Sequence, residues 1–289
     1  MVTVANKKIH FFDSRCWQTF LPNSSYYLKP REKMRNLFTL ALLVGIFSAC
    51  QSTSTTQEPT TSPVEENPSA AGFNQEDSDP KAIALADSVM KAMGGREAWD
   101  KTRYLSWNFF GRRTHHWDRY TGQIKIESPG DTTVYWSNVI SGGGRVTQGG
   151  VEVTDSTQLA DLLERARRIW INDSYWLVMP YKLKDTGVTL TYKGMAPTQD
   201  SVESHVLVLN FDGVGVTPEN RYEVYVDPES HLVTQWDFYR SAADTVAGFQ
   251  TPWKSYQPFG DILLSGDRGQ FQLTVYDAAH EVPEGAFGQ

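Results

Sequence analysis

The chain has 289 residues, 40% of them hydrophobic, and a formal net charge of −7. Residues 1–49 hold seven Lys/Arg and two Asp/Glu, so the remainder carries 20 basic and 32 acidic residues, near −12. An acidic body argues against nucleic acid, whose binding depends on neutralised phosphates, and against electrostatic adhesion to anionic lipid.

Taken in chain order, residues 1–33 precede a segment with the pattern of a signal. Met34 sits between Lys33 and Arg35 and is the natural start, so residues 1–33 read as a mis-called extension and are set aside from fold reasoning. Residues 34–49 open on Arg35-Asn36, continue through an apolar run at 37–47 and end in Ser48-Ala49 before Cys50. A run of eleven residues is too short to span a bilayer, which takes roughly 20. The pattern predicts a bacterial lipoprotein signal peptide, with Cys50 becoming the first residue and carrying acyl chains such as palmitate. The implied partner is a membrane, held through those chains, and the implied address is the bacterial cell envelope, at the outer membrane. Two or more acyl chains make a stable anchor.

Cys16 and Cys50 are the only cysteines. The body after Cys50 therefore has no thiol for a disulfide, a metal site or a nucleophile. Residues 50–78 are rich in Ser, Thr, Gln, Glu and Pro, with Phe73 the only aromatic. That composition predicts a disordered tether, with a reach of roughly 5–6 Å times the square root of its length.

The folded domain is expected over residues 79–289. Asp79-Pro80 supplies an N-cap and a proline at the first helical position. Ile83, Ala86, Val89, Met90 and Met93 follow at helical spacing, and Gly94-Gly95 ends the helix. The period then becomes two. Leu105, Trp107 and Phe109 alternate with polar residues, Ile124 and Ile126 flank Lys125, and Val134 and Trp136 flank Tyr135. Further strands are predicted near 188–192, 205–211, 222–226, 232–238 and 271–275, separated by turns such as Asp212-Gly213 and Asp227-Pro228. A second helix is expected over 156–171, where Leu159, Leu162, Leu163, Ala166, Ile169 and Trp170 form an apolar stripe. Its other side is expected to pair Asp161 with Arg165 and Glu164 with Arg168.

Two helices and ten or eleven antiparallel strands predict a mainly β (α+β) domain, a curved half-barrel with covering helices. Such a sheet either fills its concave side with side chains or leaves room for an apolar guest.

Three segments together carry a resemblance: Ala92-Met93-Gly94-Gly95 with Ala98-Trp99; residues 175–180, Tyr-Trp-Leu-Val-Met-Pro, with Leu183, Asp185, Gly187 and Val188; and residues 222–226 followed by Asp227-Pro228. The chain resembles the LolA/LolB-like outer-membrane lipoprotein-sorting superfamily, in particular a branch of lipid-anchored envelope proteins. The resemblance implies an open half-barrel with a helical lid around a hydrophobic cavity, and a tethered binder of acyl chains, with a lipid or lipoprotein acyl chain as ligand.

Candidate site residues follow from the aromatics. Trp107, Phe109, Trp236 and Phe238 share a strand face by parity. With Trp136 and Trp176 they are the expected wall of a ligand cavity, against the alternative that they simply fill a core. His115-His116-Trp117-Asp118 puts its two histidines on opposite strand faces, short of the three or four ligands a metal needs. No metal, other cofactor or catalytic set is expected, and the protein is expected to be a monomer. The first reading is a non-enzymatic, lipid-anchored binder of an acyl chain or similar apolar ligand, with a role in lipid or lipoprotein transport. The alternatives are an envelope interaction module with a filled barrel, and a hydrolase using His116 and Asp118.

Overall fold

The computed structural model describes residues 66–288. The predicted signal segment, Cys50 and the predicted tether up to residue 65 lie outside the described residues. Helix α1 (Pro80–Ala92) and the short α2 (Arg96–Lys101) lead into six antiparallel strands: β1 (Tyr104–Phe109), β2 (Arg113–Asp118), β3 (Gln123–Ser128), β4 (Thr133–Asn138), β5 (Gly144–Gln148) and β6 (Val151–Glu152). Helix α3 (Ser156–Val178) and a 3-10 turn (Met179–Lys182) carry the chain to β7 (Val188–Pro197), β8 (Glu203–Phe211), β9 (Arg221–Val226), β10 (Val233–Tyr239) and β11 (Phe249–Pro252). The chain closes with β12 (Gln257–Phe259), β13 (Ile262–Leu264), β14 (Asp267–Arg268) and β15 (Phe271–Ala279).

The order β14-β15-β1-β2-β3-β4-β5-β6 makes an eight-stranded sheet, and β11-β10-β9-β8-β7 a five-stranded one. An antiparallel bridge between Lys254 and Asp267 joins them at β11 and β14. The sheet is thus open at β6 and β7, a half-barrel as expected. It has more strands than expected because β5, β6 and β11 to β14 are two to five residues long, too short to show a period.

The β7 edge is covered by the stretch that composition assigned to the tether. The Asn74 and Asp79 amides donate to the Val188 and Leu190 carbonyls at 3.0 and 2.8 Å, and the Tyr192 amide donates to Asp79 Oδ2 at 3.0 Å. Phe73 is buried beneath this segment. Closing an edge in this way removes a row of unpaired backbone groups that would otherwise template association. Asp79 precedes the first turn of α1 but makes no side-chain cap there, its carboxylate being spent on β7.

At the other end of α1, Gly94 lets the chain pass close to residues 261–263. A Cβ on it would lie 2.2 Å from the Asp261 carbonyl oxygen, and its φ of +111° is left-handed. Only glycine adopts that backbone without strain.

Helix α3 has 23 residues, about 35 Å at 1.5 Å per residue, and it crosses the concave side of the sheet. Asp155 caps it by accepting the Gln158 amide at 2.8 Å. Its first half packs Leu162 and Ala166 on Ile124, Ile126, Tyr135 and Val146. Its last turns put Leu177 and Val178 into the main core with α1, β1 and β7 to β10. Trp117 and Trp170 touch both clusters. The helix runs past residue 171, where the predicted stripe stopped, because its last turns are buried on several sides and lose the amphipathic period. The predicted ion pairs are replaced: Arg165 reaches Asp131 in the β3–β4 turn at 3.6 Å, and Arg167 pairs with Glu164 at 3.7 Å. No helix among the described residues is long and apolar enough to cross a membrane.

Candidate functional site

Inward parity on β1, β9 and β10, together with the last turns of α3, brings aromatic side chains into one column. Phe271 lies 5.1 Å from Phe110 by ring centroid, Phe110 5.3 Å from Trp176, Trp176 4.9 Å from Trp236, and Trp236 5.0 Å from Tyr222, on which it stacks at 10°. Phe238 stacks on Phe249 at 4.8 Å, and Phe249 on Trp176 at 5.5 Å. The outer end of the column is accessible, Phe271 being 41% exposed, whereas Trp236 is 1% exposed. The column therefore leads from the surface at one end of the half-barrel into the core.

The β1–β2 turn sits at that mouth. Phe110 has a φ of +53°, a strained conformation for a bulky residue. It is held there by its ring contacts with Phe109, Phe271 and Trp176, the nearest being Phe109 at 4.1 Å.

Beside the column lies a buried ionic cluster. Asp173 of α3, with no exposed side-chain surface, accepts Arg113 Nε at 2.7 Å and Arg113 Nη2 at 3.0 Å, and lies 2.8 Å from His115 Nε2. The Asn172 amide adds a further bond at 2.8 Å. Burial pushes the Asp173 carboxyl up, but the His115 hydrogen bond and the charge and hydrogen bonds of Arg113 outweigh it and hold it below the usual carboxylate range. His115 in turn stacks on Trp107 at 4.5 Å and 6°. Arg268 is a second buried cation. Its guanidinium lies 3.3 Å from the Trp253 ring centre and donates to the Trp176 and Ser265 carbonyls. Burial lowers its pKa to about 9.

Several buried polar atoms of this interior have no hydrogen-bond partner within the protein: Trp107 Nε1, His115 Nδ1, Trp170 Nε1, Tyr175 Oη and Trp236 Nε1. Native interiors leave few such groups unmet. Burial drives the Tyr175 hydroxyl well above its ordinary range, so it stays protonated and a donor.

Of the six residues read from the sequence as cavity wall, Trp107, Phe109, Trp176 and Trp236 face the concave side or its mouth, and Phe238 joins them through its ring contacts with Tyr222 and Phe249. Trp136 does not join them. On β4 it is Tyr135 that turns toward α3. Trp136 lies on the opposite face, under Arg145 at 3.6 Å, with its Nε1 donating to the Phe287 carbonyl at 2.6 Å. Parity could not choose here because both faces of β4 carry an aromatic. Phe110, Tyr175, Tyr222 and Phe249 were missed. The pair Tyr175-Trp176 within the resemblance segment was the available signal for one of them.

His116 and Asp118 do share the outer face of β2, and each is engaged there. His116 Nδ1 is 2.6 Å from the Tyr104 hydroxyl, and Asp118 forms a bidentate pair with Arg103 at 3.0 and 2.8 Å. Burial pushes Asp118 up, but Arg103 and the Thr121 and Tyr120 hydrogen bonds outweigh it and bring it to about 2. Among the described residues no group of three or more His, Cys, Asp or Glu is placed to hold a metal ion. An opening of about 290 Å³ lies apart from the aromatic column, lined by polar groups including Asn67, Asp87, Lys91 and Arg96.

No family model and no curated protein matches the chain. Among solved structures it is similar to a DUF1329 family protein from Desulfovibrio piger, with 12% identity and a TM-score of 0.39 over 73% of this chain and 98% of that one. It is also similar to a putative outer membrane lipoprotein-sorting protein domain from Vibrio parahaemolyticus, with 10% identity and a TM-score of 0.35 over 72% and 96% of the two chains. A LolA superfamily protein from Nitrosomonas europaea gives 10% identity and a TM-score of 0.35 over 71% and 97%. Likeness at this level leaves the function to be read from the chain's own residues.

Proposed function

We propose that this protein is a non-catalytic, lipid-anchored binder of an apolar ligand, an acyl chain or a molecule like it, in the bacterial envelope. The observation that carries the reading is the aromatic column with its accessible end at Phe110 and Phe271 and unmet polar atoms at its inner end. Ligand sites are mostly apolar, with a few placed polar groups that fix orientation, and that is the composition here. The rings touch one another, so entry requires them to part. Trp176 and Phe249, half-buried at the mouth, are the rings placed to move, with Trp107, Phe109, Trp236 and Phe238 lining the path behind them.

The test is native mass spectrometry of the full chain, coupled to lipid extraction. A stoichiometric co-purified acyl species is the expected result. A ligand-free protein that also ignores fluorescent fatty acids would move the assignment to an envelope interaction module, which the close packing of the rings favours.

Anchoring is tested separately. Replacing Cys50 with Ser should move the protein from the membrane fraction to the soluble fraction, because one thiol carries the whole attachment in this reading. Retention of the variant with membranes would remove the lipoprotein part of the proposal and leave the ligand part standing.

A further inference from the structure

The ligand's polar end has a place in the same interior, and this inference rests on the reading of the column as a ligand site. Trp107 of β1 and His115 of β2 are directly paired across the strands, and their rings stack at 4.5 Å and 6°. Both side chains are at most 1% exposed, and both carry a polar atom with no partner, Trp107 Nε1 and His115 Nδ1. We propose that these two atoms form the headgroup subsite for a ligand whose apolar body ends in a free carboxylic acid.

The chemistry of the two atoms narrows the class. His115 Nε2 lies 2.8 Å from Asp173 Oδ2. A carboxylate only accepts, so Nε2 carries a proton, and Nδ1 of the neutral ring is then an acceptor. Indole Nε1 is a donor and nothing else. The site therefore presents one acceptor and one donor on facing rings. A carboxylic acid offers the complement on a single carbon, an O–H that donates to Nδ1 and a carbonyl oxygen that accepts from Nε1. An ester has acceptors only and would leave Nδ1 unmet and desolvated.

Charge points the same way. Arg113, the nearby cation, is held in a bidentate pair by Asp173, so the cluster has no spare positive charge for an ionised headgroup. A neutral acid enters without one, its proton staying on oxygen or passing to Nδ1. In the second case the imidazolium is balanced by the ligand carboxylate. Either way Asp173 keeps its partners and α3 keeps its place.

The experiment compares cis-parinaric acid with its methyl ester by fluorescence titration. It uses the full chain carrying Cys50→Ser, at pH values from about 5 to about 8, which cross the ordinary carboxyl and imidazole ranges. The acid should bind about tenfold more tightly than the ester, the worth of one buried hydrogen bond. His115→Gln keeps an amide donor for Asp173 and removes Nδ1, and in that variant the ratio should fall to about one. Trp107→Phe keeps the stacked ring without its N–H and should lower the ratio as well. Equal affinities in the parent, which needs no variant to measure, would overturn the inference while leaving an apolar ligand site intact. So would a ratio undiminished by His115→Gln. Binding of neither probe would overturn the ligand site itself, and the headgroup subsite with it.

Discussion

Arg113→Met should lower the stability of the domain by about 3–5 kcal/mol in urea unfolding, the usual cost of removing one partner from a buried ion pair. Asp173 has no exposed side-chain surface, and Arg113 provides two of the hydrogen bonds to its carboxylate. With the guanidinium gone, the carboxylate keeps His115 and the Asn172 amide but loses its permanent counter-charge in the core. The double variant Arg113→Met, Asp173→Leu should be less destabilised than the single one, because the stranded charge leaves with its partner. The pH dependence has a definite sign. The carboxyl of Asp173 is held below the usual range in the folded protein, so the cluster contributes stability that is present above the unfolded pKa of about 3.9 and is lost as pH falls through the folded value. In Arg113→Met the folded value rises, and acid unfolding should begin at a higher pH than in the parent. A single variant within about 1 kcal/mol of the parent, a small surface-like effect, would show that the pair does not hold α3 to the sheet.

This cluster also marks where the sequence stops being readable. The apolar alternation of β1 and β3 placed Trp107, Phe109, Ile124 and Ile126 on the inner face, and the structure agrees. Strand β2 lies between them and turns Arg113 and His115 inward instead. A pattern-based reading takes charged and polar residues for the solvent face. The identity of the buried partner, Asp173, is fixed by α3 crossing the sheet some 60 residues later, and no local period records that. The end of α3 was hidden for the opposite reason, too much apolar sequence rather than too little. Leu177, Val178 and Met179 are all buried, and a stretch apolar on every side has no stripe to count. The aromatic column was half legible. Parity selected Trp107, Phe109, Trp236 and Phe238, each a strand residue, but not Phe110, whose position depends on a left-handed turn, or Tyr175, whose position depends on helix docking. The same parity argument failed at Trp136, where the choice of face is made by the Phe287 carbonyl on one side and the α3 stripe on the other.

The second large effect belongs to Trp236. Trp236→Ala should cost about 3–5 kcal/mol, the range for emptying a large aromatic from a core. Its ring meets Tyr222, Trp176, Trp253 and Tyr175 at centroid distances of 5.0, 4.9, 5.6 and 5.9 Å, so the cavity would open at the centre of the column with no single neighbour able to close it. Its Nε1 has no partner, so no hydrogen bond is broken and the whole cost is packing. Trp236→Phe should accordingly recover most of the loss. The same cavity tests the proposed function. A ligand that binds only the folded state stabilises it by about 2.7 kcal/mol at a hundredfold excess over Kd. A saturating fatty acid should therefore raise the urea midpoint of Trp236→Ala, and by more than it raises the parent's, because in the variant fewer rings have to part before the chain can enter. An unchanged midpoint in the variant would mean that a space opened along the column admits no acyl chain, and the column would then be a core and nothing more.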